Sequence, residues 1–167
     1  YFTSSASTGS PLENRAFEFK GFWAHDRAQE KHAFESFMDW LEARMDKHRH
    51  MRVYHYAAYE DAALKKLAAR HATREAFLDR LLREKRLVDL YRVTRESIRA
   101  STSSYSIKDI ETFYRGKRSN EVQTAGASTV YYERYLETGD KALLEKIERY
   151  NQDDVESTQQ LHEWLWS

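Results

Sequence analysis

The stretch MRVYHYAAYE, residues 51 to 60, constrains the fold more than any other part of the chain. Met51, Val53, Tyr54 and Tyr56 are β-favouring residues in a run too brief for a helix of its own, which predicts a strand ending near Tyr56. Helical patterns lie on both sides of it. From Asp26 to about Lys47, Ala28, Phe34, Phe37, Met38, Leu41 and Met45 recur at helical spacing, with Asp26 placed as N-cap. After the strand, EDAALKKLAARHA and REAFLDRLLREKR each repeat apolar residues at i, i+3 and i+4, and Thr73 is placed to cap the second. Strand among helices makes the class α/β with a helical excess.

The remaining elements follow the same rules. Residues 1 to 7 and RAFEFKGFWAH, with Phe17, Phe19 and Phe22 among charged partners, read as two strands of a hairpin around Gly9, Pro11 and Asn14. LVDLYRV opens as a short strand at Leu87 to Leu90 and continues as helix. SYSIKDIETFY is a short helix after a Ser/Thr-rich turn, and RGKRSNEVQTAGAS is a polar loop. A helix starting at Ser128 ends at Gly139, and Asp140 caps the last and longest one.

At 167 residues, 41% of them hydrophobic, the chain is long enough for one good core and short for two, so residues 1–167 are expected to form one domain. Its 27 basic and 27 acidic side chains cancel, so any attraction to phosphate has to be local. There is no cysteine, hence no disulfide framework or thiolate site, in keeping with a cytoplasmic protein. No run approaches the roughly 18 apolar residues of a spanning helix, and no membrane association is expected. The first residue is Tyr1, and the chain reads as a piece cut from something longer.

Along Asp140 to Trp166 the apolar stripe runs Leu143, Leu144, Ile147, Tyr150, Val155, Leu161 and Leu165. Asp154 falls four residues after Tyr150 on the same side. A carboxylate withdrawn from water needs a hydrogen bond, an opposite charge or a metal ion. Helical spacing alone is satisfied by an acid at the edge of the stripe, in solvent or paired with an arginine. It also permits, without demanding, a metal ligand with the Tyr150 hydroxyl in the same cleft. Glu60 lies just past the C-terminal end of the predicted strand, where open α/β sheets collect ligands. It also suits the first turn of a helix, where the macrodipole stabilises an acid.

Four segments together, YHYAAYEDAAL (54 to 64), VDLYRV (88 to 93), SYSIKDIETFY (104 to 114) and YNQDDVESTQQLHEWL (150 to 165), resemble a known domain. It is the ribonuclease H-like, DEDD-type exonuclease domain of predicted RecB-family nucleases, often fused to a helicase. The resemblance runs from about Trp23 to the C-terminus. It implies a ribonuclease H-like mixed sheet with flanking helices and two-metal, 3′–5′ phosphodiester hydrolysis at a single-stranded DNA or RNA end. Mg²⁺ or Mn²⁺ would be held by four acidic residues. Asp154 matches the acid of the third motif and Tyr150 the tyrosine that orients the attacking water. Glu60 occupies the second-motif position, where many such enzymes carry aspartate. The first motif, an Asp-x-Glu on the central strand, has no counterpart before the hairpin. The N-terminal strand is thus expected to be missing, the sheet to be gapped, refilled or rearranged, and the fragment to bind metal poorly and be inactive alone.

Other residues leave more than one reading open. His48, His50 and His55 lack the partners of a zinc site. Asp89 suits structural hydrogen bonding or catalysis. Arg115, Lys117 and Arg118 beside Tyr114, and Lys108, suit nucleic-acid binding or plain solvation. Lys65, Lys66 and Arg70 carry the same ambiguity. Two further readings of the chain stand beside the nuclease. One is a ribonuclease H-like module that binds nucleic acid or protein without cutting. The other is a protein-interaction surface of Tyr131, Tyr132, Tyr135, Trp164 and Trp166, with strand exchange at an exposed edge.

Overall fold

The computed structural model describes residues 3–5, 17–115 and 125–167. The element order is β1 (Thr3–Ser5), α1 (Arg27–Lys47), β2 (Arg52–His55), α2 (Tyr59–His71), α3 (Glu75–Arg83), β3 (Leu87–Asp89) and α4 (Leu90–Ser97). It continues with α5 (Ile107–Ile110), a 3₁₀ turn (Glu111–Phe113), α6 (Ala125–Thr138) and α7 (Lys141–Trp166). The chain divides into two compact units, Tyr1–Ser101 and Thr102–Ser167.

In the first unit β2 is the middle strand of three. It pairs parallel with β3, Val53 opposite Leu87 and His55 opposite Asp89, and antiparallel with β1, Thr3 opposite Tyr54. A parallel neighbour requires a long crossover, which α2 and α3 supply. Among the described residues, β2 therefore has a partner on each edge. Its alternation is that of a strand with one buried face: Val53 and His55 are buried, Arg52 is exposed.

α1 forms as its capping and periodicity require. The Asp26 side chain accepts from the Gln29 N–H at 2.8 Å, and Phe34, Phe37, Met38, Leu41 and Met45 are its buried face. These join Met51, Val53, Leu64, Ala68, Phe77, Leu78 and Leu81 in a continuous core. Acids along the flank of this face meet the cations and hydroxyl of α2, α3 and the turn between them. Glu30 accepts from Arg70 and His71, Glu35 from Thr73, Asp39 from Arg74 through two nitrogens, and Glu42 from Arg80. Arg70 is thus engaged in an ion pair, as is Lys65 with Asp61.

Three local expectations are corrected. The hairpin does not form as predicted: β1 pairs with β2, residues 17–24 contain no strand, and the proposed turn at Gly9, Pro11 and Asn14 lies outside the described residues. Phe22 serves helix packing instead. Phe22 meets Phe37 edge-on at 5.6 Å and Trp40 at 6.2 Å. Thr73 does not cap α3. The N-cap is Arg74, in the left-handed region, while the Thr73 hydroxyl donates to Glu35. α6 begins at Ala125, three residues before Ser128.

In the second unit α6 lies against α7. The two are separated by Gly139, whose φ of 70° is the left-handed conformation that glycine adopts without strain, and by Asp140, which caps α7 through the Ala142 N–H. Leu143, Ile147, Tyr150, Val155, Ser157 and Leu161 are the buried positions of α7. No described helix is long and apolar enough to cross a membrane.

Candidate functional site

The C-terminal ends of β2 and β3 bring His55, Glu60 and Asp89 into one neighbourhood. After His55 the chain must leave the sheet and start α2 within three residues. It does so through Ala57 in the left-handed region, φ 68°. That conformation is unfavourable for a residue with a Cβ and is held from both sides. The Ala57 N–H donates to Asp89 Oδ1 at 2.9 Å, and its carbonyl faces His55 Nδ1 at 2.7 Å. A carbonyl only accepts, so Nδ1 of His55 carries the proton. Asp89 Oδ1 also accepts from the Tyr91 N–H, capping α4. Of the two roles open to Asp89, the hydrogen-bonding one is realised here.

Glu60 stands in the first turn of α2. Its Oε2 lies 3.7 Å from His55 Nδ1, too far for a hydrogen bond, and is a buried oxygen with no hydrogen-bond partner. Burial opposes charge on His55, but Glu60, the Ala57 carbonyl and the charge of Asp89 outweigh it and raise the pKa above its ordinary 6.5. A cavity of about 250 Å³ elsewhere in this unit is lined by Phe22, Phe34, Phe37, Leu64, Leu67 and Glu30, and Glu60 takes no part in it.

The remaining predicted residues belong to the second unit. Tyr150 is buried at 8% exposure with Lys108 Nζ 5.5 Å from its ring centre. Asp154 is half-buried one turn further along α7. Arg115 donates to Asp153, through Nη2 to Oδ1 at 2.6 Å and through Nη1 to the carbonyl at 3.3 Å. Lys117 and Arg118 lie outside the described residues.

Sequence reasoning missed a polar chain beside them. The Tyr114 hydroxyl lies 2.8 Å from Ser157 Oγ, and Ser157 donates to Glu111, which is only 4% exposed. Because Ser157 has one proton and gives it to Glu111, Tyr114 must be the donor to Ser157. Segment 111–115 thus grips α7 at Asp153 and Ser157, on either side of Asp154. The available signal was spacing: Ser157 follows Tyr150 by two helical turns, a small polar residue on the buried stripe.

A family model for the RNase H superfamily matches residues 9–166. The chain belongs to the RNase H superfamily. No curated protein and no solved structure matches it. The fold is accordingly RNase H-like, mixed α/β and mostly helical, with one short parallel strand pair. Superfamily membership makes it a nuclease-type fold. Oxygen donors such as Glu60 and Asp154 are of the kind hard divalent cations take, and Glu60 Oε2, which has only the His55 ring within ion-pair reach and no hydrogen bond, fits a ligand. Among the described residues no three His, Asp or Glu side chains converge as a metal site, so neither unit by itself offers an ion more than a partial donor set.

Proposed function

We propose that this chain is the greater part of a metal-dependent 3′–5′ exonuclease domain of the DEDD type, as in RecB-family nucleases fused to helicases, acting in the cytoplasm on single-stranded DNA or RNA ends. The observation that supports this best is Glu60. Its Oε2 is buried without a hydrogen bond at the C-terminal end of a parallel strand, in a chain of the RNase H superfamily. When bound, two Mg²⁺ or Mn²⁺ ions supply an activated water and stabilise the leaving oxygen. Glu60 and Asp154 are the residues that would hold them, with the remaining acids supplied by an Asp-x-Glu strand. The Tyr150 hydroxyl orients the attacking water. Lys108, Arg115, Lys117 and Arg118 attract the phosphates of the strand, Arg115 from its pair with Asp153.

The partial donor set favours one runner-up, an RNase H-like module that binds nucleic acid or protein without cutting. Manganese-dependent digestion of a 5′-labelled single-stranded oligonucleotide separates the two. It compares this chain with one extended upstream to include an Asp-x-Glu strand. A shortening ladder from the extended chain alone, lost in Asp154→Asn and Glu60→Gln, is the expected result. Equal cutting by the short chain refutes the need for further acids, and no cutting by either selects the binding module.

A further inference from the structure

We propose that the edge of the first unit where β2 and β3 end binds the unpaired end of a nucleic-acid strand through its bases, with Tyr59 as the stacking surface. This rests on the nuclease reading of Glu60 and adds the side chain that holds the bases of that substrate. Tyr59 opens α2 immediately before Glu60 and is 79% exposed, a large ring left in water beside the acid. The turn that presents it is fixed by the Ala57 contacts to Asp89 and His55, so the ring is offered from a rigid base.

Two more rings lie at the same strand ends. Tyr56 and Tyr91 meet edge to face at 5.7 Å, and the Arg95 guanidinium stands 5.7 Å over the Tyr91 ring. Aromatic faces with a stacked arginine are what single-strand binding surfaces are made of. Of the other cations of α2 and α4, Lys65 is paired with Asp61, Arg70 with Glu30 and Arg92 with Glu96, which leaves Lys66, two turns beyond Tyr59. Phosphate attraction at this edge therefore rests on few charges. Recognition falls to base faces, which a duplex covers with its own stacked neighbours and an unpaired end exposes. Every base has such a face, so the contact is tolerant of sequence and of sugar.

The test is fluorescence anisotropy in chelator, where nothing is cut. Its probes are short labelled oligothymidine, its ribo counterpart oligouridine, oligothymidine ending in a 3′ abasic residue, and a blunt duplex. Wild type is expected to prefer single strands of either backbone over duplex. Tyr59→Ala should weaken single-strand binding about 5- to 150-fold. Tyr59→Trp should keep it. The abasic end should cost wild type the same factor and Tyr59→Ala nothing, and the salt dependence of the two proteins should have one slope, since no charge is removed.

Unchanged affinity in Tyr59→Ala, or indifference of wild type to the abasic end, overturns the proposal and leaves the nuclease reading standing. Absence of binding by wild type also overturns it. Digestion by the upstream-extended chain then decides separately whether the nuclease reading falls.

Discussion

Two histidines, His55 buried and His162 half-buried, should titrate in opposite senses. His55 is surrounded by acceptors, with Glu60 at 3.7 Å and the Ala57 carbonyl at 2.7 Å, and binds its proton more tightly folded than unfolded. Its contribution to stability is fully present below the unfolded value of about 6.5 and is lost as pH rises through the higher folded pKa. For His162, on α7, burial dominates over the opposing charge of Glu163 and lowers the pKa. Its neutral ring is compatible with the fold above about 6.5, and stability is lost as pH falls through the lower folded pKa. Urea unfolding in chelator between about pH 5 and 8 should show His55→Gln most costly at the acid end and His162→Gln most costly at the alkaline end. Equal pH profiles for the two variants would refute this assignment. His55 stands on the second-motif strand and is buried there. Its partners were not legible, because the left-handed turn at Ala57 that brings the carbonyl back to the ring leaves no mark in residue type.

At the scale of elements, α7 is held beside Asp154 by two kinds of tie. Arg115 pairs with Asp153, and Tyr114, Ser157 and Glu111 form one hydrogen-bonded line. A carboxylate this buried depends on its donor. Ser157→Ala is expected to cost about 1–3 kcal/mol in denaturant unfolding. Tyr114→Phe should cost less once Ser157 is already alanine, a coupling that a double-mutant cycle measures and that strict additivity would disprove. The helices were readable because caps and apolar spacing are local: Asp26 and Asp140 cap where expected, and the buried faces of α1 and α7 follow the periodicity. The hairpin was misread for the converse reason. Alternating phenylalanines record that a segment faces something apolar, and Phe22 satisfies that against Phe37 and Trp40 without a strand partner. Grips between distant segments, such as Glu111 with Ser157, join residues 46 apart and carry no periodic signal.

For the whole molecule, the equality of 27 basic and 27 acidic residues has a structural counterpart in the first unit, where the acids of α1 face the bases of α2 and α3. Such exposed pairs each add little, roughly 0–1 kcal/mol, so the apolar core around Met38 and Leu81 carries that unit. The superfamily was legible in four spaced segments; the first unit's edge-strand arrangement was not, since three residues of β1 hold too little pattern to choose between neighbours. That short strand has a practical side for anyone preparing the protein. Thr3–Ser5 occupy the backbone edge of β2 that β3 leaves open, as a row of tape covers an adhesive surface. Trimming residues 1–5 while tidying a vector or cleaving a tag should leave that edge bare, and bare edges recruit other chains. Light scattering of the trimmed chain is expected to show growth with concentration where the untrimmed chain stays small, and equally small trimmed particles would refute this. Tags carried at Ser167, which is exposed, leave β1 untouched.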